Sequence, residues 1–234
     1  MDKNLFKYKH FEAEIILLSL RWYLKYPLSY RNLSEILLER GLSINPATIM
    51  RWVHEYAPIL EKKIRRHLKK CNHSWRVDET YIKIKGKWNY LYRAVDSNGS
   101  TIDFYLSKHR DSKSAKKFFK RALKTSNSTS PRVITTDKNP AYIKVIPALK
   151  EEKKILLNTS LRQIKYLNNI IEQDHRFIKK KVKYTLGFKS FKSAKKTLCG
   201  IEAMHMIRKE QVKNQVKSVL FEVQFINELF GITC

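Results

Sequence analysis

The run Val133-Ile134-Thr135-Thr136-Asp137-Lys138-Asn139-Pro140 decides how this chain reads. Its β-favouring residues predict a short buried strand that Lys138-Asn139-Pro140 stops. Asp137 is therefore delivered at the strand's C-terminal end, where a sheet edge holds a carboxylate rigidly. Two other stretches bring acids of the same kind. Upstream, the strand-like Trp75-Arg76-Val77 leads into Asp78-Glu79-Thr80. Downstream, the helical pattern KYLNNIIEQDHRFIKKKVK, starting at Lys165, carries Glu172.

Each of Asp78, Asp137 and Glu172 taken singly reads more readily as a turn former or helix cap. Their order on strand, strand and helix points instead to a metal site for phosphodiester chemistry. That chemistry needs an activated nucleophile and relief of charge on the leaving oxygen, which two divalent ions roughly 3.5–4 Å apart supply. Carboxylates suit Mg2+, with Mn2+ able to substitute, and three of them without a cation would repel one another. Glu79 faces the opposite side of its strand from Asp78, and Asp174 lies about 200° round the helix from Glu172, so both are weaker candidates. Asp96 and Asp103 read as turn or surface residues.

Around these acids the pattern is strands, a helix, a strand, then helices, an α/β or α+β order with a mixed sheet. Tyr81, Ile82 and Ile84 alternate up to a turn at Lys85-Gly86-Lys87, and Trp88, Tyr90, Tyr92 and Val95 return from it. A third strand spans 101–106. A helix over 112–123 turns Ala115, Phe118, Phe119 and Ala122 inward. A further helix covers 140–149, a short strand 155–157, and a long helix 167–182. On that helix Leu167, Ile170, Ile171, Asp174 and Ile178 mark one face, and Glu172, Arg176 and Lys179 the adjacent strip. Another helix is predicted over 190–213 and a short amphipathic one over 219–230.

The first seventy residues differ in character. A helix over 11–25 precedes one that Ser29 caps and Gly41 ends. Asn45 then caps a third, with Pro46 at its first position, running to about Tyr56. Two short helices joined by a Gly-containing turn read as a helix-turn-helix, with Ala47, Thr48 and Arg51 presented to base edges and Ile49, Trp52 and Val53 inward. A basic tail over 61–70 leads to a boundary near Cys71.

With 48 Lys and Arg against 21 Asp and Glu, the 234-residue chain has a net charge of +27, so its natural partner is a polyanion. No membrane role is expected: the apolar stretch 15–24 is broken by Ser19 and Arg21 and is about half the ~20 residues a span needs. Asp2 and Glu12 argue against a signal peptide. Cys71, Cys199 and Cys234 are odd in number and widely separated, which suits a reducing cytosol. Cys71 and His73 have no second pair at zinc spacing.

Three stretches carry a resemblance: WRVDETYIKIKGKWNYLYRAVD from Trp75, VITTDKNPAY from Val133 and KYLNNIIEQDHRFIKKKVK from Lys165. With SYRNLSEILLERG from Ser29 and 34 residues between Asp137 and Glu172, the chain resembles the bacterial insertion-sequence transposases of the DDE class, in particular the IS-six family. The resemblance implies a ribonuclease H-like catalytic domain over 71–213, a mixed five-stranded sheet flanked by helices. It places Asp78 on the first strand, Asp137 after the fourth and Glu172 on a helix. A small all-α helix-turn-helix domain over 1–70 would precede it and a C-terminal helical segment over 214–234 follow. Lys179 would be the basic residue near terminal DNA, and Arg176 a phosphate contact. The Tyr and Arg that the broader class often carries before the Glu are replaced here by Lys165 and Asn168.

The activity implied is cleavage at element ends to free a 3′ hydroxyl, which attacks double-stranded target DNA without a covalent protein–DNA intermediate. Joining two ends calls for a homodimer or higher homo-oligomer, at work in the bacterial cytoplasm on the nucleoid. Two alternatives remain open. A nuclease or resolvase of the same fold would share the acids, and a helix-turn-helix regulator would leave them without a task.

Overall fold

Lys85 and Gly86 both have positive φ, 48° and 76°, the geometry of a two-residue hairpin turn whose twist matches its strands. This turn joins β1 (Ser74–Ile84) to β2 (Lys87–Asp96), and β3 (Thr101–Ser107) completes an antiparallel meander. β4 (Val133–Thr135) lies parallel to β1, and β5 (Ser160–Arg162) parallel to β4. The sheet order β3-β2-β1-β4-β5 is the mixed five-stranded, ribonuclease H-like arrangement expected.

The computed structural model describes residues 5–125, 127–184 and 187–232; Asp2, Cys234 and the Lys165 side chain lie outside the described residues. Its contacts divide the chain into two compact units, Leu68–Val182 and Met1–His67 with Lys183–Cys234. No described helix is long and apolar enough to cross a membrane.

In the sheet unit, α1 (Ser112–Ala122), capped by Asp111, buries Ala115, Phe118, Phe119 and Ala122 as its pattern predicts. Phe118 stacks on Tyr92 of β2 at 6.0 Å, which fixes the face of the sheet it covers. α2 (Pro140–Glu151) starts where Asn139 caps Ala141 and Pro140 takes the first helical position. It lies on the same face, since Tyr142 reaches Glu79. α3 (Asn169–Tyr184) covers the opposite face and buries Ile171, His175, Ile178 and Lys181, so the stripe centres on His175, while Ile170 is 39% exposed.

The fifth strand lies at Ser160–Arg162, not 155–157 as predicted. Leu156 and Leu157 are exposed, and the Thr159 amide donates to the Leu156 carbonyl in a turn that reverses the chain before it can pair. Asp96 organises its turn by accepting from the amides of Asn72, Asn98 and Ser100. Asp103, expected in a turn or at the surface, is fully buried on β3 and paired with Arg121 at 2.9 Å.

The helical unit holds α4 (Ala13–Lys25), α5 (Tyr30–Leu38), α6 (Pro46–Ile64), α7 (Phe191–Arg208) and α8 (Val219–Leu229). Ser29 and Asn32 form a capping box on α5, Gly41 has φ 77°, and Asn45 caps α6. α6 continues past the predicted stop at Tyr56 and through Pro58, because Ala57, Leu60 and Ile64 extend its buried stripe. The prediction set α7 with the sheet, but it packs in this unit against α4 and α6. A Cβ at Gly200 would lie 2.6 Å from Ala57 and 2.7 Å from Leu24, so a glycine allows this close approach.

Candidate active site

β4 pairs with β1 only through Ser74–Arg76, and beyond that point β1 runs on with a free edge. Val77 uses its carbonyl there to accept from the Asn168 side chain at 3.3 Å. Asp137 follows Thr136 into the notch where β4 ends, and its Oδ1 accepts the Asn139 amide at 3.1 Å. Oxygens of Asp78, Glu79 and Asp137 come within 4.8 Å of one another.

Strand alternation makes Glu79 the weaker candidate beside Asp78, because neighbours on a strand point to opposite faces. The structure keeps the two on opposite faces, where Glu79 meets Tyr142 and Asp78 meets His175, yet oxygens of both lie within reach of Asp137 where β4 ends. The two have different surroundings. The Glu79 side chain is 0% exposed and accepts from Arg110 and Tyr142 in short contacts and from Asn139 Nδ2 at 2.9 Å. Asp78, on the other face, accepts from His175 Nε2 at 3.1 Å. His175 Nδ1 lies 3.5 Å from Arg93, and Arg93 is ion-paired with Asp174 at 2.7 Å. Arg93 is the direct cross-strand neighbour of Asp78, so one buried guanidinium anchors α3 beside that acid.

The Asp137 side chain is 36% exposed, with Arg110 Nη2 3.6 Å from Oδ2. Burial, then the charges of Glu79 and Asp78, hold its pKa above the ordinary carboxylate value, against the pull of Asn139 and Arg110. Burial and Glu79 push the Tyr142 phenol well up, so it stays a proton donor. Burial works hardest against the charge of Arg110, but the hydrogen bond and the charge of Glu79, with Tyr81 and Asp137, together outweigh it and hold its pKa up. Mutual repulsion, with Asp78 Oδ1 accepting no hydrogen bond and Asp137 Oδ2 held only by the ion pair with Arg110 at 3.6 Å among the described residues, fits a divalent cation.

Two of the three predicted acids, Asp78 and Asp137, thus come together. Glu172 lies outside the group, exposed and with no hydrogen bond or ion pair among the described residues. It precedes His175 by three positions and so shares the side of α3 that His175 turns to Asp78. Arg176 and Lys179 are exposed on the same helix, as are Ala47 and Arg51 on α6, where Thr48 is half-buried. Arg93, Arg110, His175 and Tyr142 escaped the sequence reading. Counting register back from the Lys85-Gly86 turn would have found Arg93 opposite Asp78.

A family model described as a DDE domain matches residues 72–211. The chain is 46% identical over 212 residues to the transposase for the insertion sequence-like element IS431mec of Staphylococcus aureus, covering 88% of this chain and 90% of that protein. The transposase for insertion sequence element IS257 in transposon Tn4003, also of Staphylococcus aureus, matches with the same identity and coverage. Among solved structures, the chain is similar to the HTLV-2 integrase catalytic core domain in its dimeric form with magnesium. That match has TM-score 0.46 and 19% identity, covering 61% of this chain and 97% of that one.

Proposed function

This chain belongs to the IS-six family of DDE insertion-sequence transposases, and from that premise we propose that it grips the terminal inverted repeats of its element, frees a 3′ hydroxyl at each end and joins it to target DNA. The observation that carries the site assignment is the meeting of Asp78 and Asp137 at the free edge of β1, beside the helix that bears Glu172. Asp78, Asp137 and Glu172 are the catalytic acids and metal ligands in this reading. Two Mg2+ ions, replaceable by Mn2+, would supply an activated attacking oxygen and charge relief on the leaving one.

The chain's own groups have separate tasks. Asp78 and Asp137 present open oxygens, and His175 orients Asp78 through Nε2. Arg110 spans Glu79 and Asp137 and keeps the two acids at fixed separation. Exposed Arg176 and Lys179 lie along α3 beyond Glu172, placed to meet the phosphates of the bound end. Ala47, Thr48 and Arg51 at the start of α6 read the repeat in the major groove. Working on two ends at once requires a homodimer or higher assembly acting on nucleoid DNA in the cytoplasm.

Strand transfer of a labelled element-end duplex into plasmid with Mg2+ tests this, comparing the wild type with Asp137→Asn. Joined product from the wild type alone is the expected result. Cleavage without joining would favour a nuclease, and binding without either a regulator.

A further inference from the structure

The tip of the β1–β2 hairpin carries more than a turn requires. Register places Tyr81 opposite Tyr90 and Lys83 opposite Trp88, all four on one face. Tyr81 is 46% and Trp88 57% exposed, and their rings meet edge to face at 6.0 Å. Tyr81 also leans on Tyr90 at 5.4 Å, and Lys83 Nζ sits over the Trp88 ring at 5.6 Å. Cross-strand aromatic pairs alone can steady a hairpin. That role, however, does not call for the charge pattern: the ten residues from Tyr81 to Tyr90 include Lys83, Lys85 and Lys87 and no acid.

Position gives the surface its meaning. On the same face, two residues before Tyr81, stands Glu79 of the acid cluster, so at about 3.3 Å per residue the rings begin roughly 7 Å from it and end near 13 Å. Arg110 links the two places, bonded to Glu79 and close to Tyr81.

We propose that Tyr81, Trp88 and Tyr90, with Lys83 beside them, form a stacking platform for unpaired DNA bases within a few nucleotides of the phosphate being cut. Exposed rings offer a π-face to any base, and the surrounding lysines match the backbone. This rests on the transposase reading and adds to it a place where the end of the duplex is held open.

Oligothymidylate with a fluorescent label, titrated without metal, tests it beside a blunt duplex of the same length. Trp88→Ala and Tyr81→Ala should each weaken oligothymidylate binding ~10-fold, the loss of one base stack, while duplex binding changes by less than about two-fold. Trp88→Phe, which keeps a ring, should bind nearly as the wild type does. Equal losses on both probes, no loss on either, failure of Trp88→Phe to restore binding, or a change in sedimentation in place of binding would each overturn the platform; the last would assign the rings to a second copy of the chain. Because no chemistry is read, the platform and the strand-transfer assignment can fail separately.

Discussion

Glu79 and Glu172 are opposite kinds of carboxylate. Glu79 is completely buried, lies within the acid group and has both oxygens taken by Arg110, Asn139 and Tyr142. Glu172 is exposed, outside the group and without a partner among the described residues. Distance alone would favour Glu79 as the third ligand. Availability favours Glu172, because Glu79 is buried and already accepts three hydrogen bonds, while Glu172 is exposed and accepts none among the described residues. In the proposed site the two regions divide the labour: the α1/α2 face fixes the notch, and the α3 face would bring the group that completes it.

Attacking the shared centre should have the largest effect. Asp78→Asn is expected to lower strand transfer ~10³-fold, the equivalent of several kcal/mol, with end binding by gel shift preserved. Retained turnover would remove Asp78 from the site.

Next comes the anchor of α3. Asp174→Asn takes the paired carboxylate away from the buried Arg93 guanidinium, which should cost about 3–5 kcal/mol in urea unfolding. Replacing Arg93 and Asp174 together by Met and Leu should recover much of that loss, as expected if the pair specifies where α3 sits more than it stabilises.

A smaller effect, of opposite sign, belongs to Asp137. Its folded pKa lies above the unfolded value, so ionising it costs folding free energy. That cost is absent below the unfolded value near 3.8 and complete above the folded one. Metal-free Asp137→Asn should therefore melt higher than the wild type at neutral pH, and the difference should vanish on acidification. Added Mg2+ should raise the wild-type midpoint and leave the variant's in place. The smallest change expected is at the far end of α3: Lys179→Ala should reduce the salt slope of end binding by roughly one, with little change in stability.

Much of this was legible in the chain. Asp137 was readable because β-branched residues and Pro140 bracket it, and the α1 stripe because Ala115, Phe118, Phe119 and Ala122 keep helical spacing. Glu79 does face away from Asp78, as strand alternation requires, but its place in the acid group was not legible because only the end of β4 brings Asp137 within reach of both. α3 was read with the wrong inward edge because its buried stripe includes His175 and Lys181, residues that hydrophobic periodicity does not count. α7 was set with the wrong unit because it buries a continuous run from Thr197 to Ile207 and gives no single face to follow.

The central claim is that Glu172, not Glu79, completes the site. Strand transfer of a labelled element-end duplex with Mg2+, run side by side on Glu79→Gln and Glu172→Gln, tests it most directly. The account predicts joined product from Glu79→Gln, reduced ~10–100-fold as for a lost supporting contact, and none from Glu172→Gln. Product from Glu172→Gln with none from a folded Glu79→Gln would contradict it.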